Sequence, residues 1–231
     1  PVVGFTGDKF YRPMWFSDEM YEFTGAVLAI DPSGRGKDET AYAVVKMLNG
    51  YLYASQCGGF KGGYDDLTLQ KLANLAKIEK VSMIVVESNF GDGMFSKLLA
   101  PFIAKTYPVS IEEVRHNTQK EVRIIDTLEP VMMQHRLIID EKLIKEDYDS
   151  APEPSYSLFY QMTRLTKDRG AIVHDDRLEA LSMAVNYWTE QMDTDAESMA
   201  AQMKLEAFNG EIQRFIDSAT GVYKSVGDRW F

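Results

Sequence analysis

The sequence predicts an α/β protein built on a central mixed sheet, and two observations support that prediction. Three short β-rich segments lie close together at 27–30, 40–47 and 51–56, and Asn49-Gly50 between the last two is a strong hairpin signal. Beyond them, helical and strand-like patterns alternate, which is typical of a sheet with helices on both faces. We therefore expect an antiparallel three-strand meander that continues into a mixed sheet.

The later elements follow from hydrophobic periodicity. Apolar residues at helical spacing predict helices at 67–80 and 94–105, and the short apolar run at 81–87 predicts a buried strand between them. The prediction is completed by a strand at 111–114, a helix at 121–134 interrupted by Pro130, a strand at 137–139, a loop at 149–155, and helices at 156–165, 176–188 and 200–216. We expect strands 27–30 and 81–87 to be central neighbours in the sheet.

Three apolar segments, at 26–30, 83–86 and 171–173, each lead to acidic residues. These acids are Asp31, Glu87 and, after His174, the pair Asp175 and Asp176. A carboxylate at the end of a buried strand is costly unless positive charge meets it. If these three segments bring their carboxylates together, the carboxylates need a divalent metal ion. That arrangement is the one that metal-dependent phosphodiester cleavage requires.

Each of these acids also has a structural interpretation. Asp31 precedes a glycine-bearing turn that it can cap, and Glu87 can accept backbone N–H groups of the following helix. Asp176 with Glu179 three residues later fits a capping box, although a cap explains only one acid of the pair. His174 is more often structural than a metal ligand.

Other chemistries are excluded by the motifs. The turn after Asp31 superficially matches a phosphate-binding P-loop, but Asp31 stands where its first glycine is needed and Asp38 where Ser or Thr follows the lysine. Cys57 is the only cysteine, which excludes an intrachain disulfide and a thiolate zinc cluster. No Ser/His/Asp relay can be assembled. The sequence also shows neither a signal peptide nor a transmembrane run.

The net charge of −10 argues at first sight against a nucleic-acid partner. Of that charge, −4 falls in residues 189–231 and −2 in residues 1–24, which leaves −4 for the centre of the chain. Two bound divalent cations would neutralise this central region. Candidate DNA contacts are the basic residues Arg35, Lys37, Lys61, Lys120 and Arg123. Lys61 is the most interesting of them because it sits among glycines in a loop.

Five segments now identify a family resemblance. They are residues 28–40, 87–95, 126–132, 157–164 and 171–181, and they span about residues 25–190. The chain resembles the C-terminal nuclease domain of the large terminase subunit of tailed, double-stranded-DNA bacteriophages, most closely those of the short-tailed, podovirus-like branch. The resemblance implies an RNase H-like (RuvC-like) fold, which agrees with the strand order expected above.

The resemblance also implies roles for individual residues. By position, Asp31, Glu87 and Asp176 match the metal-binding triad of the family, and Asp175 can share the role. Asp38 matches a supporting acid after the glycine turn. The implied cofactors are two Mg²⁺ or Mn²⁺ ions.

The implied activity is endonucleolytic cutting of concatemeric viral DNA during genome packaging. Its implied partners are double-stranded viral DNA, an ATPase motor domain in the same full-length chain, the portal and the small terminase subunit, and its implied location is the host cytoplasm during virion assembly. Three alternatives stay open: a junction resolvase with the same fold, a portal- or capsid-docking module, and an actin-like ATPase. The last would need a second phosphate-binding turn and an adenosine pocket, and the sequence shows neither.

The predicted organisation has three parts. Residues 1–24 are rich in aromatic side chains and are expected to be an arm or linker from the motor domain. Residues 25–190 form the nuclease domain. Residues 191–231 form an acidic helix or tail.

Overall fold

The structure, a computed structural model, describes residues 2–3, 9–10, 21–33, 39–88 and 93–219. The chain divides into two compact units, Pro1–Trp188 and Thr189–Phe231. Three predicted site residues lie in the glycine turn outside the described residues: Arg35, Lys37 and Asp38. No helix among the described residues is long and apolar enough to cross a membrane.

The described strands form one six-stranded sheet and a separate two-residue pair. The pair is β1 (Val2–Val3) and β2 (Lys9–Phe10). The sheet strands are β3 (Gly25–Asp31), β4 (Thr40–Leu48), β5 (Tyr51–Phe60), β6 (Met83–Glu87), β7 (Ile111–Val114) and β8 (Leu137–Ile139). Their order across the sheet is β7-β6-β3-β4-β5-β8.

The sheet is mixed, as the sequence predicts. Strands β3, β4 and β5 form the antiparallel meander, and Asn49 and Gly50 make its tight turn with positive φ angles of 51° and 79°. Strand β6 lies parallel to β3, and Ile30 pairs with Val86. The predicted central neighbours are therefore confirmed, and the next residue of each strand is an acid at the same edge of the sheet.

Six helices are described. They are α1 (Asp66–Ile78), α2 (Met94–Thr106), α3 (Lys120–Met133), α4 (Glu141–Ser150), α5 (Leu158–Arg164) and α6 (Asp176–Ala219). A single 3-10 turn at Pro154–Tyr156 precedes α5. Helix α1 starts as its sequence dictates, because the Asp65 carboxylate accepts the Thr68 N–H at 2.6 Å and caps it.

Three secondary-structure predictions were wrong. Helix α4 was not predicted, because only Leu143 and Asp147 of its ten residues are buried and its apolar residues are too few to show a helical period. The helix also includes the beginning of the predicted loop at 149–155. Pro130 lies inside the last turn of α3 and removes one hydrogen bond there without ending the helix. The two helices predicted at 176–188 and 200–216 are one helix, since the polar stretch between them contains neither Gly nor Pro.

The core lies on both faces of the sheet. On one face, Leu28 and Ile30 of β3 pack with Leu72 of α1 and with Leu99 and Ile103 of α2, all of them buried. These apolar contacts hold β3 at the centre of the sheet. The acid at its end is thereby placed on a rigid strand.

The opposite face is covered by helices from the second half of the domain. The Trp188 indole N–H of α6 donates to the Val45 carbonyl at 3.0 Å, and Cys57 of β5 contacts the Arg177 carbonyl at 3.7 Å. Gly25 is needed beneath this tryptophan, because a Cβ at that position would lie 2.8 Å from the indole ring. The first three turns of α6 are therefore fixed against the sheet.

Candidate metal centre

Four strands end at one edge of the sheet, and the predicted acids lie there. Strands β5, β6 and β7 run parallel to β3, whereas β4 begins at that edge with Thr40. Asp31 is the last residue of β3 and Glu87 the last of β6. Two backbones in register therefore present two carboxylates side by side, as predicted.

Asp31 is the most strongly perturbed acid of this edge. Its side chain is hydrogen-bonded to that of Glu87, and its Oδ2 lies 3.4 Å from the Lys120 Nζ. Burial raises the pKa of Asp31 to about 8, with further contributions from the negative charges of Glu87 and Asp175, while Lys120 acts in the opposite direction. Burial also raises the pKa of Glu87. This pair of carboxyls favours a shared proton over two negative charges.

Lys120, at the start of α3, connects Asp31 to the beginning of α6. Its Nζ lies 2.8 Å from the Asp175 Oδ1. Burial alone would lower the pKa of Lys120, but the carboxylates of Asp31 and Asp175 more than offset it, so its pKa is raised and the side chain stays charged. Asp176 is the first residue of α6 and is half-buried. Asp175 is thus the member of the acid pair that shares a cation with Asp31.

A fourth acid, Glu179, lies one turn into α6. It is 1% exposed, and its Oε1 lies 2.6 Å from the Arg123 Nη2, which is also 3.9 Å from the Glu87 Oε1. Burial raises the pKa of Glu179 to about 7 despite the positive charges of Lys120 and Arg123. The capping-box interpretation of Glu179 is therefore wrong, because its side chain binds an arginine of α3.

His116, two residues beyond the end of β7, also faces this group. One ligand atom each of Glu87, His116 and Glu179 lies within 4.8 Å of the others. Burial and, to a smaller extent, the nearby Arg123 charge together lower the pKa of His116 to about 4. The imidazole is consequently neutral at physiological pH, which is the form that binds metals.

These donors fit a divalent cation. Described contacts join four carboxylates, those of Asp31, Glu87, Asp175 and Glu179, but only two basic side chains. Among the described residues, the Glu179 Oε2 is buried and has no hydrogen-bond partner. Carboxylate oxygens are the ligands that Mg²⁺ and Mn²⁺ prefer, so an ion would supply the missing charge and partner.

Two other predicted residues, Lys61 and His174, lie in the described part of the chain. Lys61 is exposed in the turn that follows β5, at the same edge of the sheet as Asp31. His174 stacks on Tyr156, with ring centroids 3.7 Å apart and an interplanar angle of 22°. The apolar lead-in before it is not buried, since Val173 is 86% exposed.

Two members of the cluster were missed by the sequence analysis. Glu179 stands four residues after Asp175 and therefore shares its face of α6, a spacing that could have identified it. Glu179 was instead interpreted as part of a capping box. His116 carried no local signal, because only the pairing of β6 with β7 brings the chain beyond Val114 to this edge.

A second group of charges fixes the start of α6 from the opposite side. Arg177 is fully buried, and its Nε lies 2.6 Å from the Glu39 Oε1 and its Nη1 2.8 Å from the Asp147 Oδ1. Glu39 directly precedes β4, and Asp147 belongs to α4. Gly59 of β5 makes room for this group, since a Cβ there would overlap the Glu39 carboxylate. The residue that follows the acid pair is thus held by two other elements.

Asp147 also organises α5. Its carboxylate accepts the Leu158 N–H at 2.9 Å and the Ser157 hydroxyl at 2.5 Å, so it acts as a helix cap from outside the helix. The Gln161 side-chain oxygen of α5 in turn accepts the Leu178 N–H at 3.0 Å. Helices α4, α5 and α6 are linked through buried polar groups just behind the acidic edge.

The sheet order, the paired acids on its central strands and the helix that brings further acids to them define an RNase H-like domain with an acidic edge of the nuclease type. Comparison with known proteins gives an assignment for part of the chain. Residues 30–137 match a family model described as "Terminase Bacteriophage T7, Ribonuclease H-like domain".

A relative and two solved structures agree with that assignment. The terminase large subunit of Enterobacteria phage T3 is 45% identical over 235 residues, which cover 99% of this chain and 40% of the relative. A manganese-soaked, inhibitor-bound human cytomegalovirus terminase nuclease domain superposes with a TM-score of 0.53 at 12% identity, covering 71% of this chain and 82% of that one. A mutant nuclease domain of the large terminase subunit of bacterial virus Sf6, with manganese and beta-thujaplicinol, gives 0.50 at 12% identity, covering 71% and 88%.

The relative is much longer than this chain, which spans about two fifths of its length. The two solved structures share the fold at low identity. Together they establish the RNase H-like terminase nuclease fold.

Proposed function

We propose that this chain is a metal-dependent endonuclease that cuts concatemeric viral DNA during genome packaging. The observation that carries the proposal is the convergence of Asp31, Glu87, Asp175 and Glu179 at one sheet edge, where the described ion pairs join them to Lys120 and Arg123. Among the described residues the Glu179 Oε2 is buried without a hydrogen-bond partner, and such an atom destabilises a fold unless a ligand satisfies it.

In this proposal the first metal site is built from Asp31, Glu87 and the acid pair at the start of α6. Asp31 and Glu87 are held by paired strands, and Asp175 is already joined to Asp31 through Lys120. Asp176 is assigned as a ligand from the family resemblance. Bound Mg²⁺ or Mn²⁺ ions would promote attack of water on the phosphodiester and stabilise the leaving 3′-oxygen, and we propose two ions.

The remaining residues orient the reaction. Lys120 and Arg123 limit the mutual repulsion of the acids, and their contact with DNA stays a prediction. Lys61 projects from the turn beside the same edge, where it can bind a phosphate of the DNA backbone. No base-reading element follows from the described site, so the proposed cleavage has weak sequence preference.

The partners belong to the whole protein. The family implies that an ATPase motor domain lies in the same full-length chain, and that the portal and small terminase subunit bring DNA to it. These factors would raise the local DNA concentration at a domain whose own net charge is negative.

The test is plasmid cleavage by the wild-type chain in Mn²⁺, Mg²⁺ or EDTA, compared with Asp31→Asn and Asp126→Asn. Asp126 is 59% exposed and ion-paired with Lys167, so it supplies a matched acid-to-amide control. We expect metal-dependent conversion of supercoiled to linear DNA, at least 100-fold slower in Asp31→Asn and unchanged in Asp126→Asn. Cleavage that survives Asp31→Asn, or that persists in EDTA, would contradict the proposal.

A further inference from the structure

We propose that Glu87, His116 and Glu179 form a second divalent-metal site, adjacent to the first, that prefers transition ions such as Mn²⁺ over Mg²⁺. The inference rests on the proposed function, because Glu87 would belong to both sites. It adds a nitrogen ligand and a fourth carboxylate that the sequence-predicted acids do not include.

The three ligand atoms are close to the separation that a shared ion imposes. All of them lie within 4.8 Å of one another. Two ligands bound to one ion at ~2.1 Å can be up to about 4.2 Å apart, so small side-chain movements close the site. The donor set is one imidazole and two carboxylates.

Glu179 supplies an independent indication of a ligand. Its side chain is 1% exposed, and among the described residues its Oε2 is buried without a hydrogen-bond partner. Its Oε1 is already bound by Arg123 at 2.6 Å. A buried carboxylate oxygen without a partner is costly, and a metal ion in contact with Glu87 and His116 would satisfy it.

The site is built on three well-fixed elements. Glu87 ends β6 in register with Val114 of β7, and the Ser88 N–H donates to the Val114 carbonyl at 2.9 Å. Arg115 then donates through its Nε to the Ser88 hydroxyl at 3.3 Å, which holds the backbone just before His116. The third ligand comes from α6. The geometry is therefore set by the sheet and a helix, not by a single loop.

The charges around the site allow an ion beside Arg123. The Arg123 guanidinium lies 3.9 Å from the Glu87 Oε1 and touches one oxygen of Glu179, which leaves the second oxygen available. Asp31, hydrogen-bonded to Glu87, adds a further acid on the other side, and Lys120 lies beyond it. Among the described residues that make these contacts the acids outnumber the bases, so an added cation reduces the net repulsion.

The imidazole determines the choice of metal. Mg²⁺ binds oxygen ligands almost exclusively, whereas Mn²⁺ and the later transition ions also accept imidazole nitrogen. Loss of His116 should consequently weaken Mn²⁺ binding more than Mg²⁺ binding. This difference separates the second site from an all-carboxylate centre.

Pulsed electron paramagnetic resonance of Mn²⁺ bound to the whole chain tests the inference, because it detects coordinated ¹⁴N directly. We expect ¹⁴N coupling in the wild type, its loss in His116→Ala, and its retention in His174→Ala, the half-buried histidine that stacks on Tyr156. Absence of the coupling in the wild type, or its survival in His116→Ala, would overturn the proposal.

Calorimetric titration with Mn²⁺ and Mg²⁺ tests the carboxylate ligand. Glu179→Gln should weaken Mn²⁺ binding at least tenfold, and His116→Ala should lower the Mn²⁺-to-Mg²⁺ affinity ratio by a similar factor. Unchanged affinities in both variants would contradict the second site. If plasmid cleavage is metal-dependent but no nitrogen coupling exists, this inference fails and the proposed nuclease stands. Coupling without cleavage would leave a metal site and reject the nuclease.

Discussion

Two groups of buried charges meet at the first turn of α6, and their hydrogen bonds are completed to different degrees. On one side, the Arg177 guanidinium binds both Glu39 and Asp147 directly, and Asp147 also accepts the Leu158 N–H. On the other side, Glu179 binds Arg123 through one oxygen, and among the described residues its second oxygen is buried without a hydrogen-bond partner. Two residues of one helical turn thus belong to groups that differ in how fully their polar atoms are satisfied.

This difference distinguishes a group with a structural role, around Arg177, from the candidate metal centre at the acidic edge. Burial by itself would lower the pKa of Arg177, but its hydrogen bonds with Glu39 and the charges of Glu39 and Asp147 raise it, so the guanidinium stays charged. At the acidic edge, burial instead raises the pKa of Asp31 to about 8 and that of Glu179 to about 7, which disfavours their charged forms. Groups with such raised pKa values that lie together are typical of functional sites, and this agrees with the proposed metal centre.

The largest expected effect on stability comes from removing the Arg177 guanidinium from Glu39 and Asp147. Arg177→Met leaves the carboxylates of Glu39 and Asp147 buried without their cation and should reduce the free energy of unfolding by about 3–5 kcal/mol. Urea unfolding measures this change. Arg164→Met, at the end of α5, is the control and should cost less than about 1 kcal/mol. Equal reductions in the free energy of unfolding for the two variants would show that Arg177 contributes no more to stability than Arg164 does.

A smaller loss of stability is expected from filling the space beside the Glu39 carboxylate. Gly59→Ala places a methyl group on the Glu39 carboxylate and should cost about 1–3 kcal/mol. Gly210→Ala is the matched control, because a Cβ there meets nothing within 4 Å and alanine favours the helix. Thermal unfolding should therefore move in opposite directions for the two variants. A neutral Gly59→Ala would show that Glu39 can shift without cost.

The acids of the sheet edge, Asp31 and Glu179, predict that the stability of the fold depends on pH. Because the folded pKa of Asp31 is raised above its unfolded value, the stability that this carboxyl contributes is complete below about pH 4 and is lost as the pH rises towards 8. Glu179 acts in the same direction up to about pH 7. In EDTA, the melting temperature of the wild type should fall over this range relative to that of Asp31→Asn.

Divalent metal should reverse this trend, since it binds the ionised carboxylates. Addition of Mn²⁺ is expected to raise the melting temperature of the wild type more at pH 8 than at pH 5, and to raise that of Asp31→Asn less, because this variant keeps only the proposed second site. A melting temperature that is independent of pH in EDTA would contradict the assignment of Asp31 as the perturbed acid.

The smallest effect is expected at His174. His174→Ala removes the ring that stacks on Tyr156 and should cost about 1 kcal/mol in urea unfolding. The metal-induced rise in melting temperature should be retained. A loss of that rise would return His174 to the candidate ligands.

Local patterns were sufficient for the centre of the fold. The Asn49-Gly50 turn, the apolar run before Asp31 and the one before Glu87 predict adjacent central strands, and the structure confirms them. Each signal depends on a few neighbouring residues. The predicted organisation at 1–24, 25–190 and 191–231 stays a prediction.

Other features depended on long-range contacts and could not be read from the sequence. Helix α4 is stabilised through Asp147, whose partners lie 10 or more residues away in α5 and 30 away at Arg177. Arg177 is fully buried. Its burial follows from meeting Glu39, 138 residues distant in sequence, which no local pattern encodes.

The proposed metal centre is tested most directly by a crystal structure of the wild-type chain soaked with Mn²⁺, with anomalous difference maps. We expect anomalous density between Asp31 and Glu87 at the acidic edge, and none beside Arg177, whose guanidinium already binds both nearby acids. Absence of density at that edge, or density only at surface carboxylates, would show that these acids are not a metal centre.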